Sequence, residues 1–464
     1  MDSAGSLTIV QDVLLPRPKA NPRTLTIFGL GIASFSVAFV VLLMARTSYD
    51  VWGAALVAPA LFLVTLPMLR REARREGDPK LFWFLVLALV AKMLGSIVRY
   101  FVTFTILGTA DASGFHKGGV QLAARFRSGN FNTHLDEPSE GPFVRLFTGV
   151  LYTFIGPTKG GGFFFFAWMA FIGAFFFYRA FKLAVPEGNA KTYARFVFFF
   201  PSMLFWPSSI GKDAWIIFSL GIAAFGVARL LTGSHLRGFI GLIIGLLLVT
   251  VLRPHIAAMI AVGLAVALLV RRLPDERRRR NVLTYIALGA LVLVTAAGFL
   301  FKANSFLKAN GVDTSKGVSA ALRTEVGRTA IGAHSDFSGS AVVSPSRIPL
   351  AFVTVLFRPF PNEASNAQLA LASLEGMFLL GLVLTRLKRI VAAIRSSRRQ
   401  PYVMVAIVFT CLFVIAFSSF ANFGLLVRER TQLLPLLFIL LSMPAASRAQ
   451  RGSRRGRADM RAMT

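Results

Sequence analysis

The stretch Gly108-Thr109-Ala110-Asp111-Ala112-Ser113-Gly114-Phe115-His116 sets an acid directly after a long apolar run. A carboxylate placed just outside such a run can take a proton from a hydroxyl held within hydrogen-bond reach. Cations recur later in short motifs: Trp206-Pro207-Ser208-Ser209-Ile210-Gly211-Lys212-Asp213, Arg253-Pro254-His255, Arg358-Pro359-Phe360-Pro361-Asn362-Glu363 and Arg428-Glu429-Arg430. His334 and Asp336 lie in a polar stretch between the second and third of these. Charges at the edge of an apolar layer are costly unless paired or functional. Preorganised guanidinium and ammonium groups stabilise negative charge. One or two carboxylates ringed by such cations resemble a site for an anionic lipid headgroup.

The elements that must position these residues are apolar helices. The 464-residue chain is 55% hydrophobic, and runs of about 18 or more apolar residues recur along it, as in a polytopic all-α membrane protein. Its formal charge of +30 suggests nucleic acid at first sight. The Lys and Arg residues, however, sit in short clusters between apolar runs, in the manner of inner loops, and no soluble basic face with interleaved aromatics is evident. No nucleic-acid partner is therefore expected. The single cysteine, Cys411, excludes an intrachain disulfide and a cysteine-based metal site. The polar N-terminus carries no small-residue cleavage pattern, so no removed signal peptide is expected.

Hydropathy predicts about twelve spans: 25–45, 51–69, 81–107, 162–181, 193–206, 214–231, 238–252, 256–270, 282–301, 369–384, 403–420 and 433–446. Residues 1–24 form an inner segment. Residues 25–447 form the helical domain, with outer loops at 108–161 and 302–365. Residues 448–464 form a basic, disordered tail. The segment 142–155 is half-apolar and suits the interface, and 349–359 suits a re-entrant or interfacial piece. Basic loops are expected at 70–80, 271–280 and 386–399. With both termini inside, the short inner pieces collect most of the Lys and Arg, which favours an N-in, C-in orientation. The motifs listed first then all fall on the outer face.

Each has a plainer alternative. Asp111 reads otherwise as a solvated loop acid. Lys212-Asp213 reads as a helix start after a Ser cap, with Asp213 favoured by the helix dipole. Arg253 reads as a snorkelling side chain ahead of a first-turn Pro254. Arg428 and Arg430 read as interface anchors. The run Phe163–Phe166 reads as lipid-facing packing, and Gly160–Gly162 as a loop rather than a phosphate cradle, since no GK[ST] follows. His116, His134, His255 and His334 fall outside, but none shows metal-ligand spacing such as HExxH. No cofactor is expected, a divalent cation being left open. Nucleotide-binding fingerprints and a nucleophile elbow are absent, so ATP-driven transport has no support.

At Asp111-Ala112-Ser113-Gly114-Phe115-His116, Ala123-Ala124-Arg125-Phe126, Gly129-Asn130-Phe131, Pro201-Ser202, Ser208-Ser209-Ile210-Gly211-Lys212-Asp213 and the late Arg428-Glu429-Arg430, the chain resembles the GT-C superfamily of integral-membrane glycosyltransferases. The likeness covers most of the chain in layout and a few short motifs in letters. It departs in one respect: the acid follows the third predicted span rather than the first. The resemblance implies a multi-pass enzyme of the bacterial plasma membrane, in envelope or exopolysaccharide assembly. Its donor would be a polyprenyl-phosphate-linked sugar and its acceptor a glycan or lipid-linked hydroxyl. Asp111 would be the general base in an inverting transfer. Lys212, Arg253, Arg358, Arg428 and Arg430 would face the leaving phosphate, and His255 would donate a hydrogen bond. His116, Asp213, His334 and Glu363 complete the expected substrate-binding set. Two other readings stay open. A polysaccharide polymerase or ligase would use Arg323, Arg328 and His334. A lipid-linked-oligosaccharide flippase would line a cavity with charges inside spans, here Lys92 and Arg99.

Overall fold

A computed structural model of the chain describes residues 22–106, 111–133, 140–233, 235–270, 297–298, 301 and 345–445. The polar stretch carrying Arg323, Arg328, His334 and Asp336 lies outside the described residues, as do His134, the basic run 271–280 and nearly all of the predicted span 282–301.

The described residues form helices and no strand. The first half runs α1 (Pro22–Arg46), α2 (Tyr49–Glu76), α3 (Pro79–Phe101), α4 (Asp111–Arg127), α5 (Glu140–Ile155), α6 (Lys159–Ala184), α7 (Ala190–Phe199) and α8 (Pro201–Phe205). The second half runs α9 (Lys212–Leu231), α10 (His235–Thr250), α11 (Pro254–Val270), α12 (Ile348–Phe357), α13 (Ala367–Thr385), α14 (Leu387–Ser396), α15 (Pro401–Phe417), α16 (Phe423–Arg430) and α17 (Leu434–Leu441). Among them, α2, α3 with its π-helical extension, α6, α9 and α13 are long and apolar enough to cross a membrane. The pair α14 and α15, bent by 115°, makes a sixth if counted as one span. By length alone this is fewer than the twelve expected. The 16 residues of α10 and the 17 of α11 fall short of the roughly 20 that a straight crossing needs.

Several local expectations need correction. The polar stretch after α3 contains a helix. In α4, Ala112, Phe115, His116, Gly119, Leu122 and Ala123 are buried at helical spacing and pack on α5, a stripe hidden by the low mean hydropathy of the segment. The predicted span 193–206 is two helices. Pro201 cannot donate to the preceding turn, so α7 ends at Phe199 and α8 starts afresh. The basic loop 386–399 is mostly helix α14. Gly160–Gly162 lie within α6, whose N-cap Thr158 accepts from the Gly161 N–H. Phe163 and Phe166 are buried in the core rather than lipid-facing. Gly211, not a serine, caps α9.

Contacts sort the bundle into two ends. At one, Glu72 and Glu76 of α2 meet Arg179 and Lys182 of α6, Asn189 N–H donates to Ser442 O, and Arg386 donates to Leu441 O. The opposite end carries the start of α4, the loop 206–211, Arg253 and α16. Between the ends, α6 and α9 approach through glycines. A Cβ on Gly221 would lie 2.3 Å from the Gly173 carbonyl oxygen. Such small-residue contacts let apolar helices pack closely without a hydrophobic driving force. Gly221→Val is expected to cost roughly 1–3 kcal/mol through overpacking, read as a lowered thermal midpoint. An unchanged midpoint would mean that the two helices are not in register.

Candidate functional site

The eight-residue α16 organises this end. Asn422 caps it, its side chain accepting from the Leu425 N–H at 3.1 Å. Successive helical residues point about 100° apart, so three neighbours in a row reach three different walls. Arg428 turns to α9 and α4, Glu429 to the start of α11, and Arg430 to the end of α12.

Arg428 bridges two carboxylates. Its Nε donates to Asp213 Oδ2 at 2.7 Å and its Nη1 lies 3.3 Å from Asp111 Oδ2. Asp213 sits in the first turn of α9, where the helix dipole favours an anion, and its side chain is only 4% exposed. Asp111 opens α4 and its side chain is 61% exposed. The chain thus buries one acid and leaves the other facing outward on the same guanidinium. Burial opposes the charge of Arg428, and Asp213, Glu429 and Asp111 outweigh it and hold its pKa above the ordinary value. Arg99, near the end of α3, lies within electrostatic range of Arg428, Asp213 and Asp111, completing a cluster of two cations and two anions.

Arg99 belongs to a polar stripe on α3. Lys92, Ser96 and Arg99 are spaced i, i+4, i+7 and share one face. Lys92 Nζ donates to Met203 O at 2.6 Å and Ser96 Oγ to Ser208 O at 3.0 Å. The Arg99 guanidinium lies over the rings of Phe205 and Trp206, 4.7 and 4.8 Å from their centroids. The end of α8 and the loop after it leave carbonyls at Met203 and Ser208 without helical partners, and Lys92 and Ser96 satisfy these two. Lys92 is therefore tied to backbone. In the sequence Arg99 stands out only as a charge within an apolar run. Its spacing from Lys92 and Ser96 was the available signal for its place beside Asp111.

The other expected residues divide. Arg253 Nη2 pairs with Glu429 Oε1 at 2.6 Å, both side chains being buried, and Glu429 also accepts from Gln432. The snorkelling alternative for Arg253 is thus replaced by a buried ion pair. Arg430, fully buried, donates to Leu356 O at 2.6 Å and Arg358 O at 3.2 Å, and so braces the chain around α12. Lys212 stands beside Asp213 at the start of α9. His255 lies in the first turn of α11, its ring 6.2 Å from that of Phe417. His116 is buried, with Nδ1 2.8 Å from the Tyr152 hydroxyl, and it fastens α4 to α5. Burial pushes its pKa below the ordinary histidine value. Among the described residues, no group of three or more His, Cys, Asp or Glu side chains is placed to hold a metal ion.

Arg358 grips Glu363 with Nε at 2.9 Å and Nη2 at 2.5 Å. Burial alone would raise the Glu363 carboxyl. The Arg358 hydrogen bonds, the Phe360 N–H and the Arg358 charge outweigh it and hold the carboxyl below its usual range. The stabilisation from this pair is then fully present above the unfolded value near 4.5 and fades as pH falls through the lower folded value. Glu363→Gln is expected to flatten the acid limb of stability below about pH 4.5 and to leave neutral stability within about 1 kcal/mol. An unaltered acid limb would contradict the pairing.

In comparisons with protein-family models, curated proteins and solved structures, nothing matches this chain.

Proposed function

We propose that the chain is a membrane glycosyltransferase that moves a sugar from a polyprenyl-phosphate donor to an acceptor hydroxyl on the extracytoplasmic face. The reading takes a GT-C-like arrangement of about twelve apolar segments in a bacterial plasma membrane, with both termini inside. The observation that carries it is the outward-facing Asp111 carboxylate held on Arg428 beside the buried Asp213.

The chemistry follows from that division. The acceptor hydroxyl gives its proton to Asp111 as its oxygen bonds to the anomeric carbon. The bond from that carbon to the phosphate oxygen breaks, and its electron pair leaves with the polyprenyl phosphate. Inversion results because the acceptor attacks opposite the leaving group. Arg428 and Lys212 stabilise the charge gathering on the phosphate, and Asp213 fixes Arg428 so that no reorganisation is needed as the charge develops. Arg253, Arg358 and Arg430 support the frame instead, since each is tied within the protein. The exposed apolar sides of α2 and α3 leave room for the lipid tail alongside the helices.

The test is reconstitution of the full chain in proteoliposomes with a panel of polyprenyl-phosphate sugars and glycan acceptors. A glycoside of inverted anomeric configuration and free polyprenyl phosphate are expected. Movement of donor across the bilayer with no glycosidic bond formed would sink the reading.

A further inference from the structure

We infer that a cleft between the facing ends of α2 and α3, at the end of the bundle opposite Asp111, holds the phosphate of an anionic membrane lipid. The cleft has a volume of about 410 Å³, and its lining includes Arg70, Arg74, Phe82 and Trp83 around the turn at Gly77. Gly77 takes a left-handed conformation (φ 64°), which lets α2 reverse directly into α3. This inference rests on the membrane reading of the helices and not on sugar transfer.

Three observations point to a lipid phosphate. First, the cleft carries uncompensated positive charge. The acids of α2 at this end are already engaged, Glu72 by Arg75 and Arg179 and Glu76 by Lys182. Asp78 accepts from the Lys80 N–H as the cap of α3. Arg70 and Arg74 have no acidic partner among the described residues, and Arg70 lies over the Phe82 ring at 5.6 Å. The α2 dipole accounts for a cation at Arg74, in the last turn, but not for Arg70 one turn earlier. Second, Trp83 is 69% exposed near the start of an apolar helix, where an indole suits the headgroup level. Third, exposed apolar stripes run away from the cleft on both helices. On α3 they are Trp83, Leu87, Val90 and Leu94, spaced i, i+4, i+7, i+11. On α2, Leu63 and Pro67 precede Arg70 and Arg74 at the same spacing. A free phosphate ester would need the arginines alone. Arginines heading two exposed apolar tracks suit a phosphodiester with its acyl chains laid along them.

The experiment uses the full chain in phosphatidylcholine nanodiscs doped with brominated lipid. The Trp83 emission is isolated as the difference between the native chain and Trp83→Phe. Brominated phosphatidylglycerol is expected to quench it more than brominated phosphatidylcholine at the same mole fraction, with enrichment of up to about five-fold per cation. The double variant Arg70→Gln, Arg74→Gln should equalise the two lipids. Retained quenching by brominated phosphatidylcholine shows that Trp83 still meets lipid in this variant, and an unchanged thermal midpoint shows that it is folded. In the native chain, the preference should fall as salt is raised, which supplies a second measure free of mutation. Equal quenching in the native chain, a preference that survives in the double variant or ignores salt, or its loss to soluble glycerol phosphate at matched ionic strength would each overturn the inference. So would quenching by neither lipid, which would mean that protein covers the cleft.

Discussion

Asp111→Asn is expected to lower sugar transfer by roughly 10²–10⁴-fold, the range for losing a positioned general base. The fold should scarcely notice. The Asp111 side chain is 61% exposed and its pair with Arg428 is long at 3.3 Å. An exposed pair of that kind contributes about 0–1 kcal/mol, so the thermal midpoint should stay near that of the native chain. Asparagine keeps the shape and can still accept from Arg428, but it cannot take the acceptor's proton. Because Asp213 keeps Arg428 in place, the phosphate side of the site should survive, and donor binding should change far less than the rate. Near-normal transfer by this variant would remove Asp111 from the chemistry. A large fall in midpoint would recast Asp111 as a structural acid.

Much of this arrangement was legible in the letters, for identifiable reasons. Long apolar runs dictate helices because a backbone in an apolar layer must satisfy its own polar groups, and α2, α3, α6, α9 and α13 follow that rule closely. Alternation of basic loops with polar motifs anticipated that Asp111, Asp213 and Arg428 share one end, although 317 residues separate the first from the last. What escaped was any feature that mean hydropathy averages away. The buried stripe of α4 is one residue in three or four within a polar stretch. The break at Pro201 disappears inside a window that is apolar on both sides. The fates of the cations were also hidden. Arg253, Arg358, Arg428 and Arg430 are equivalent as letters beside apolar runs. Only the three directions presented by α16 and the turn at 358–363 decide which of them meets a carboxylate, which a carbonyl and which the outward-facing acid.

Arg428→Ala should then be the most damaging change to stability at this end. It strips the direct salt-bridge partner from Asp213, whose side chain is 4% exposed, and leaves that buried carboxylate only the longer-range field of Arg99. Breaking a buried pair by removing one partner costs about 3–5 kcal/mol, most of it the penalty on the charge left behind. That origin gives the test its sharper half. In an Asp213→Asn background that buried carboxylate is gone, so the further change Arg428→Ala should cost far less than it does in the native chain. The coupling between the two sites should amount to about 1–3 kcal/mol by a double-mutant cycle. Arg428→Lys should fall between, since an ammonium restores charge but not the planar fork that reaches Asp213 and Asp111 at once. Thermal unfolding in one detergent or nanodisc preparation measures all five chains alike. If Arg428→Ala stays within about 1 kcal/mol of the native chain, the bridge is an exposed pair rather than a buried one. If its cost is the same with and without Asp213, the penalty has another source, and Asp213 does not hold the arginine on which the proposed phosphate contact depends.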